Sequence, residues 1–280
     1  MISVAVIGGG ASGMAFAVAL KQKRPDIEVT VFEKNPKVLK KILVTGNGRC
    51  NILNFDAVAE NYFEACEFVR PAVEKYAPKK TEAIFRDMGL LLMSEQEGRA
   101  YPISQTAASV VCVLSSAAER AGVKVITDIP VKSIEKSQGG FIINNDKSFD
   151  FAVIACGGAA APKQGTDGSS FELLKALGIR VTELSPALTG MCVKDMPFSL
   201  KGLRQYCKCT VFSNEKEYVE YGEVQFNDYG LSGIPIMQLS RFIGKGKATA
   251  ELDCLPSLTK NEITAFLQSH KFREPSGDVL

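Results

Sequence analysis

The most restrictive feature of this chain lies in its first 34 residues. There "ISVAVI" (2–7) runs into Gly8-Gly9-Gly10-Ala11-Ser12-Gly13, then "MAFAVALKQK", and "EVTVFEK" (28–34) follows. A short β-branched run bounded by glycines predicts a buried parallel strand. The alanine- and leucine-rich stretch after the glycines predicts a helix. The GxGxxG pattern thus falls at a strand-to-helix turn, where each glycine has its own task. Gly8 permits the tight turn, Gly10 lets the backbone approach a pyrophosphate, and Gly13 lets helix and strand pack closely. Free backbone N–H groups at the helix start then face the phosphates. The second strand ends in Glu33, twenty positions beyond Gly13. An acid there accepts hydrogen bonds from a ribose diol and disfavours a 2′-phosphate. The spacing predicts a dinucleotide site without choosing between FAD and NAD.

The same N-terminal stretch is apolar for almost 20 residues, but it lacks a basic leader and is broken by glycines. A strand, turn and helix fit it better than a signal peptide, and no other run is long and apolar enough to span a bilayer. Lys and Arg number 33 against 31 Asp and Glu, a formal charge of +2. That balance argues against a dedicated nucleic-acid binder, and Lys34, Lys37, Lys40 and Lys41 read as a solvated surface run. Eight cysteines are scattered without a CxxC, and His270 is the only histidine. Reduced cytosolic thiols, a cytoplasmic location and no metal site are therefore expected. Cys207-Lys208-Cys209 alternates as a strand does, which makes it structural.

The segment "KKILVTGNGRCNILN" (40–54) carries a resemblance. It is similar to the signature of a bacterial flavoprotein family of NAD(P)/FAD-dependent oxidoreductases, comprising HI0933-like, aminoacetone oxidase-like and bile-acid dehydroreductase-like proteins. The likeness continues through "GRAYPISQTAASVVCVLSSAAERAGVKV" (98–125), "FAVIACGGAAAPKQGTDGSSFELLKALG" (151–178), "SPALTGM" (185–191) and "GEVQFNDYGLSGIPIMQLSR" (222–241), in the family's order. The resemblance implies FAD as cofactor. It places the adenosine diphosphate at Gly8, Gly10, Ala11, Ser12 and Gly13, and the ribose at Glu33 and Lys34. Lys41 and the Gly46, Gly48, Arg49, Cys50, Asn51 loop would pass near the phosphates, ribityl chain or flavin ring.

"GVKVITDIPVKSIEK" reads as a strand, a break and another strand around Val131, whose backbone grips the adenine in related flavoproteins. "FDFAVIACGG" resembles an A-T-G-G segment, with Gly157 and Gly158 allowing close approach on the pyrophosphate side. Cys156 stands where threonine is usual. Read without the resemblance, Gly46 and Gly48 make a plain turn and Arg49 pairs with a carboxylate.

Cys50 has a cation beside it in sequence, but a reactive thiolate also needs a base or a partner thiol. With no CxxC and His270 far along the chain, Cys50 is expected to be a packed or flavin-adjacent spectator. Flavin chemistry needs no ionisable residue at every step, so no catalytic residue is assigned. Tyr101, Tyr229 and Asp228 are candidates for proton transfer, and the Asp and Gly of "FNDYGLSG" serve equally as turn residues.

The expected architecture is α/β: a Rossmann-like two-dinucleotide-binding FAD domain over 1–187, with an inserted antiparallel β-rich domain and the start of a helical subdomain over 188–280. Short alternating runs ("CKCTVF", "EYVEYGEVQF") with turns at "SNEK" and "NDYG" predict the antiparallel part. Residues 259–270 read as an amphipathic helix capped by Thr259. Nothing in 242–280 resembles the glycine-rich segment with which the family returns to its FAD domain, so a fragment or truncated product is expected.

The leading function is an FAD-dependent oxidoreductase acting on a small organic or polycyclic substrate, with NAD(P)H as transient donor or oxygen as acceptor. The alternative is a non-catalytic or truncated flavin-binding module. A flavin-dependent RNA-modifying enzyme comes third, because the charge is flat. Neither nucleic acid nor membrane is an expected partner, and the oligomeric state is left open.

Overall fold

The computed structural model describes residues 1–213, 215–243 and 246–269. They fall into two compact units, divided between Val181 and Thr182. His270 lies outside the described residues, as does Asn214 of the "SNEK" turn.

The first unit is built on a four-stranded parallel sheet. Strand β1 (Ser3–Ile7) pairs with β2 (Glu28–Phe32) on one side and with Phe151–Ile154 on the other, and Lys124–Ile126 pairs with the outer side of β2. Helix α1 (Ala11–Lys23) makes the crossover from β1 to β2. Alternation along β1 serves two cores. Val4 and Val6 face a cluster with Met14, Ala17 and Val18 of α1 and Val110, Leu114 and Ala118 of helix Ala107–Arg120. Ala5 and Ile7 face a second cluster with Ile134, Ile143 and Leu173.

Apolar side chains are needed on both faces of such a sheet, which is why "SVAVI" is a continuous hydrophobic run. The second cluster includes residues of a three-stranded antiparallel sheet, Ile134–Ser137, Gly140–Ile143 and Lys147–Phe149. A small antiparallel sheet of Leu53–Asn54, Arg99–Pro102 and Leu92–Ser94 completes the unit.

The chain moves outward from β1 to β2 to Lys124–Ile126, then returns to the opposite side of β1 as Phe151–Ile154. That reversal is a topological switch point, and open parallel sheets bind ligands just beyond the carboxyl ends of the strands there. The GxGxxG turn sits at this place.

The second unit contains a five-stranded antiparallel sheet whose long hairpin, Arg204–Ser213 with Lys216–Asn227, carries the expected alternation. Cys207, Cys209 and Val211 are buried, whereas Tyr206 and Phe212 are exposed. "NDYG" makes the tight turn between Lys216–Asn227 and Gly230–Ser232. Helix Lys260–Ser269 begins with a capping box. Thr259 Oγ1 accepts from the Glu262 amide at 3.3 Å, and Glu262 Oε2 accepts from the Thr259 amide at 2.7 Å. Among the described residues no helix is long and apolar enough to cross a membrane.

Candidate functional site

A cavity of about 970 Å³ opens at the carboxyl ends of β1, β2 and Phe151–Ile154. It is near the upper end of the range for small-molecule sites, roughly 300–1,000 Å³, and suits an elongated dinucleotide. Its wall contains Gly8, Gly10, Ala11, Ser12, Glu33, Lys34, Lys41, Cys50, Asn51, Val131 and Gly157. The structure therefore brings together residues spread over 150 positions of sequence. Gly13, Gly46, Gly48, Arg49 and Gly158 lie outside that wall.

The glycine turn is built as a cradle. Helix α1 has Gly10 at its N-cap with no side-chain cap and no acid in its first turn. Its first ladder bond runs from the Met14 amide to Gly10 O, 3.0 Å. The amides of Ala11, Ser12 and Gly13, in the first turn of α1, are thus left for another acceptor, and the positive end of the helix dipole favours an anion there. A Cβ placed on Gly10 would meet no atom within 4 Å, so the space above it is open. Gly13 is the reverse: a Cβ there would lie 2.0 Å from Gly8 O. Open space at Gly10, unclaimed amides and the large cavity beside them fit the diphosphate of FAD.

Glu33 is buried, and its carboxylate is largely engaged by the protein. Oε2 accepts from the Gly9 amide at 2.8 Å, and Oε1 accepts from the Asn35 amide at 2.8 Å and from Asn35 Nδ2 at 2.6 Å. A carboxylate offers about four acceptor positions, so roughly one remains for a ribose hydroxyl. Glu33 thus also fixes the glycine turn through the Gly9 amide, a duty the sequence reading did not give it. Lys34 lines the cavity with its ammonium engaged by the protein. Its Nζ pairs with Asp167 Oδ2 at 2.8 Å, and Lys40 Nζ donates to Lys163 O at 3.0 Å. These bonds tie the 157–170 segment to the 33–40 loop along the cavity. The Lys34 ammonium and two donations from Ser169 hold the Asp167 carboxyl well below the usual carboxylate range.

Val131 lies in a turn shaped by Asn144, whose Nδ2 donates to Pro130 O at 3.0 Å and whose Oδ1 accepts from the Lys132 amide at 2.7 Å. The Val131 amide and carbonyl make no hydrogen bond among the described residues. Asn35, Asn144 and Asp167 were missed by sequence reasoning. The local signal is weak for Asn35 and Asn144, short polar side chains just beyond the strand ends at Phe32 and Ile143, and Asp167, well past Ile154, carries none.

The Gly46–Asn51 loop departs most from expectation. The resemblance brings Arg49 near the cofactor, and here its guanidinium is engaged by the protein. It pairs with Glu95, donates to Gln105 Oε1 (2.7 Å from Nε), and lies 4.0 Å from the Tyr101 ring centroid. The carboxylate pairing, which is the plain reading of this arginine, is what forms, and Arg49 clamps the loop to strand Arg99–Pro102. Gly46, at φ +55°, is forced: a Cβ there would sit 2.7 Å from the Asn51 amide nitrogen. Asn51 is exposed and faces the cavity.

Cys50 belongs to the main core, and burial pushes its thiol up from the ordinary value. Burial likewise pushes Cys156 up to about 11, and its Sγ lies 3.2 Å from Ile7 O. Neither has the features of a nucleophile. A Cys50→Ala chain is expected to bind FAD within about threefold of the parent and to lose about 1 kcal/mol of stability. Fluorescence titration and urea unfolding read both. A loss of flavin binding beyond about a hundredfold at unchanged stability would restore Cys50 to the site.

Among the proton-transfer candidates, Tyr101 is buried under Arg49. Asp228 pairs with Lys201 at 3.1 Å in the hairpin turn of the second unit, and Tyr229 is exposed beside it. No group of three or more His, Cys, Asp or Glu that could hold a metal ion occurs among the described residues.

Residues 2–259 match the family model described as HI0933-like protein Rossmann domain. The 3-dehydro-bile acid delta(4,6)-reductase of Clostridium scindens is 34% identical over 96% of this chain and 68% of that protein. The ribosomal RNA dihydrouridine synthase of Haemophilus influenzae is 23% identical over 90% of this chain and 64% of that protein. The chain thus spans about two thirds of the length of these relatives. A solved structure, Thermovibrio ammonificans THI4, superposes with a TM-score of 0.40 at 14% identity, covering 72% of this chain and 71% of that one, too distant to bear on function.

Proposed function

Because this chain belongs to the HI0933-like family of FAD-dependent oxidoreductases, we propose that it binds FAD in the first unit and acts as a reductase on a small polycyclic substrate. In this reading NAD(P)H is the transient donor. The observation that carries the cofactor's position is the open space at Gly10 beside the uncapped start of α1, inside one long cavity. The α1 amides take the diphosphate, the remaining acceptor position of Glu33 takes a ribose hydroxyl, and the free backbone groups of Val131 take the adenine edge. Lys41 and Asn51 supply polar contacts farther along the cavity wall. When bound, FAD supplies the two-electron chemistry, and the protein supplies binding, orientation and exclusion of competing reactions.

The polycyclic substrate is suggested by the relative at 34% identity, a reductase of a 3-dehydro-bile acid by name. The RNA-modifying relatives stand at 23% identity, and the near-neutral charge of this chain gives no electrostatic reason to prefer them.

Anaerobic addition of NADH or NADPH to the FAD-loaded chain should bleach the oxidised-flavin absorbance, and a conjugated steroid ketone should restore it. Peroxide release in air without substrate turnover would make the protein an oxidase. Flavin that no donor reduces would favour a binding module without turnover. Turnover of a uridine-containing RNA alone would replace the small-molecule reading.

A further inference from the structure

We propose that Cys207 and Cys254 form a reversible disulfide within the second unit, a redox modification that staples the edge strand of its sheet. Strands Arg204–Ser213 and Thr249–Asp253 run antiparallel, and their ladder includes the pair Lys208 with Asp253. One further step along the same register sets Cys207 opposite Cys254. Residues opposite each other in an antiparallel pair have Cα atoms about 4.5–5.5 Å apart, inside the roughly 4.4–6.8 Å window that a disulfide accepts. The two Sγ atoms already lie 3.7 Å apart.

The rest of the setting is asymmetric in a useful way. Cys207 is fully buried, whereas Cys254 is exposed. An oxidant therefore reaches one thiol, and the other reaches only its neighbour. Burial, with Cys254 beside it, pushes the Cys207 thiol up to about 12, which makes it the slow partner. Cys209 is also buried, but the register sets it against Leu252. Among the described residues Thr249–Asp253 is an outermost strand, paired on one side only, so it is the strand a covalent tie would secure.

With a low-molecular-weight disulfide as oxidant, the steps balance. The Cys254 thiolate attacks one sulfur of oxidised glutathione, the glutathione S–S bond breaks, and one glutathione thiolate departs. Cys207 gives its proton to a departing thiolate, its sulfur attacks Cys254 Sγ, and the second glutathione leaves. Two protein thiols lose two electrons, and one small disulfide becomes two thiols.

The test is peptide mapping of the full chain after incubation with oxidised glutathione and quenching with iodoacetamide. The expected product links the Cys207 and Cys254 peptides, is lighter by about 2 Da than the two free thiols, and reverts with dithiothreitol. Because the second thiol is held beside the first, the linked form should exceed the Cys254 glutathione adduct by at least about tenfold. Cys112 and Cys192, both exposed, should stop at single adducts. Cys254→Ser, an exposed change that leaves folding intact, should abolish the link, and Cys209→Ser should keep it. Cys254 recovered mainly as a glutathione adduct or an alkylated thiol, linked to Cys209, or linked only between chains would overturn the proposal.

Discussion

A Gly13→Ala chain is expected to lose about 3 kcal/mol of stability in the first unit, and its FAD binding with it. The added methyl would be placed 2.0 Å from Gly8 O, 3.2 Å from Gly8 C and 3.3 Å from Ala155 Cβ. Two of these are backbone atoms of the same glycine turn, so no side chain can rotate away to make room. Helix α1 must lift from β1, and that separation opens the core holding Met14, Ala17 and Val18, each at most 1% exposed. Overpacking of this kind costs about 1–3 kcal/mol, occasionally more, and the backbone contact puts it at the upper end. Urea unfolding followed by far-ultraviolet circular dichroism would measure the loss. A change below about 0.5 kcal/mol would mean that strand and helix are not in the close contact described.

Gly10→Val separates binding from folding. Its backbone angles, φ −79° and ψ −172°, suit any residue, and its Cβ would point into open space. Stability should therefore change by no more than about 1 kcal/mol, the usual range for replacing an N-cap residue. FAD affinity should fall at least about a hundredfold, because a branched side chain fills the space through which a diphosphate reaches the α1 amides. Each hydrogen bond to a charged group is worth about 1.5–3 kcal/mol, so loss of one or two such bonds accounts for that factor. Equal affinity in the parent and Gly10→Val chains would remove the diphosphate from this turn.

The pair also shows why the site was partly legible in the sequence. Gly8, Gly10, Gly13 and Glu33 satisfy steric and electrostatic demands that act within one strand, turn and strand, and local spacing records such demands. The alternating runs of the second unit were readable for the same reason: a strand with one buried face must repeat with period two. Contacts between distant segments left no such mark. Arg49 finds Glu95 and Gln105 at separations of 46 and 56 residues, and Lys34 finds Asp167 at 133. A charged residue beside a glycine loop carries the same local signature whether it faces a cofactor or a carboxylate. Local sequence therefore does not separate the two readings of Arg49, and it gave no notice of Asn35 and Asn144, which fix the backbone around Glu33 and Val131. Cys207 and Cys254 show the same limit. Their separation of 47 residues means little until the pairing of two strands brings their Sγ atoms to 3.7 Å.

The most direct test of the central claim is a fluorescence titration of the folded chain with FAD, repeated with ADP and with FMN as competitors. Binding through the α1 amides, Glu33 and Val131 predicts one FAD per chain, displaced by ADP, which carries the same diphosphate and adenosine, and left in place by FMN, which does not. Displacement by FMN but not by ADP would contradict the account, as would an absence of FAD binding by a chain shown to be folded.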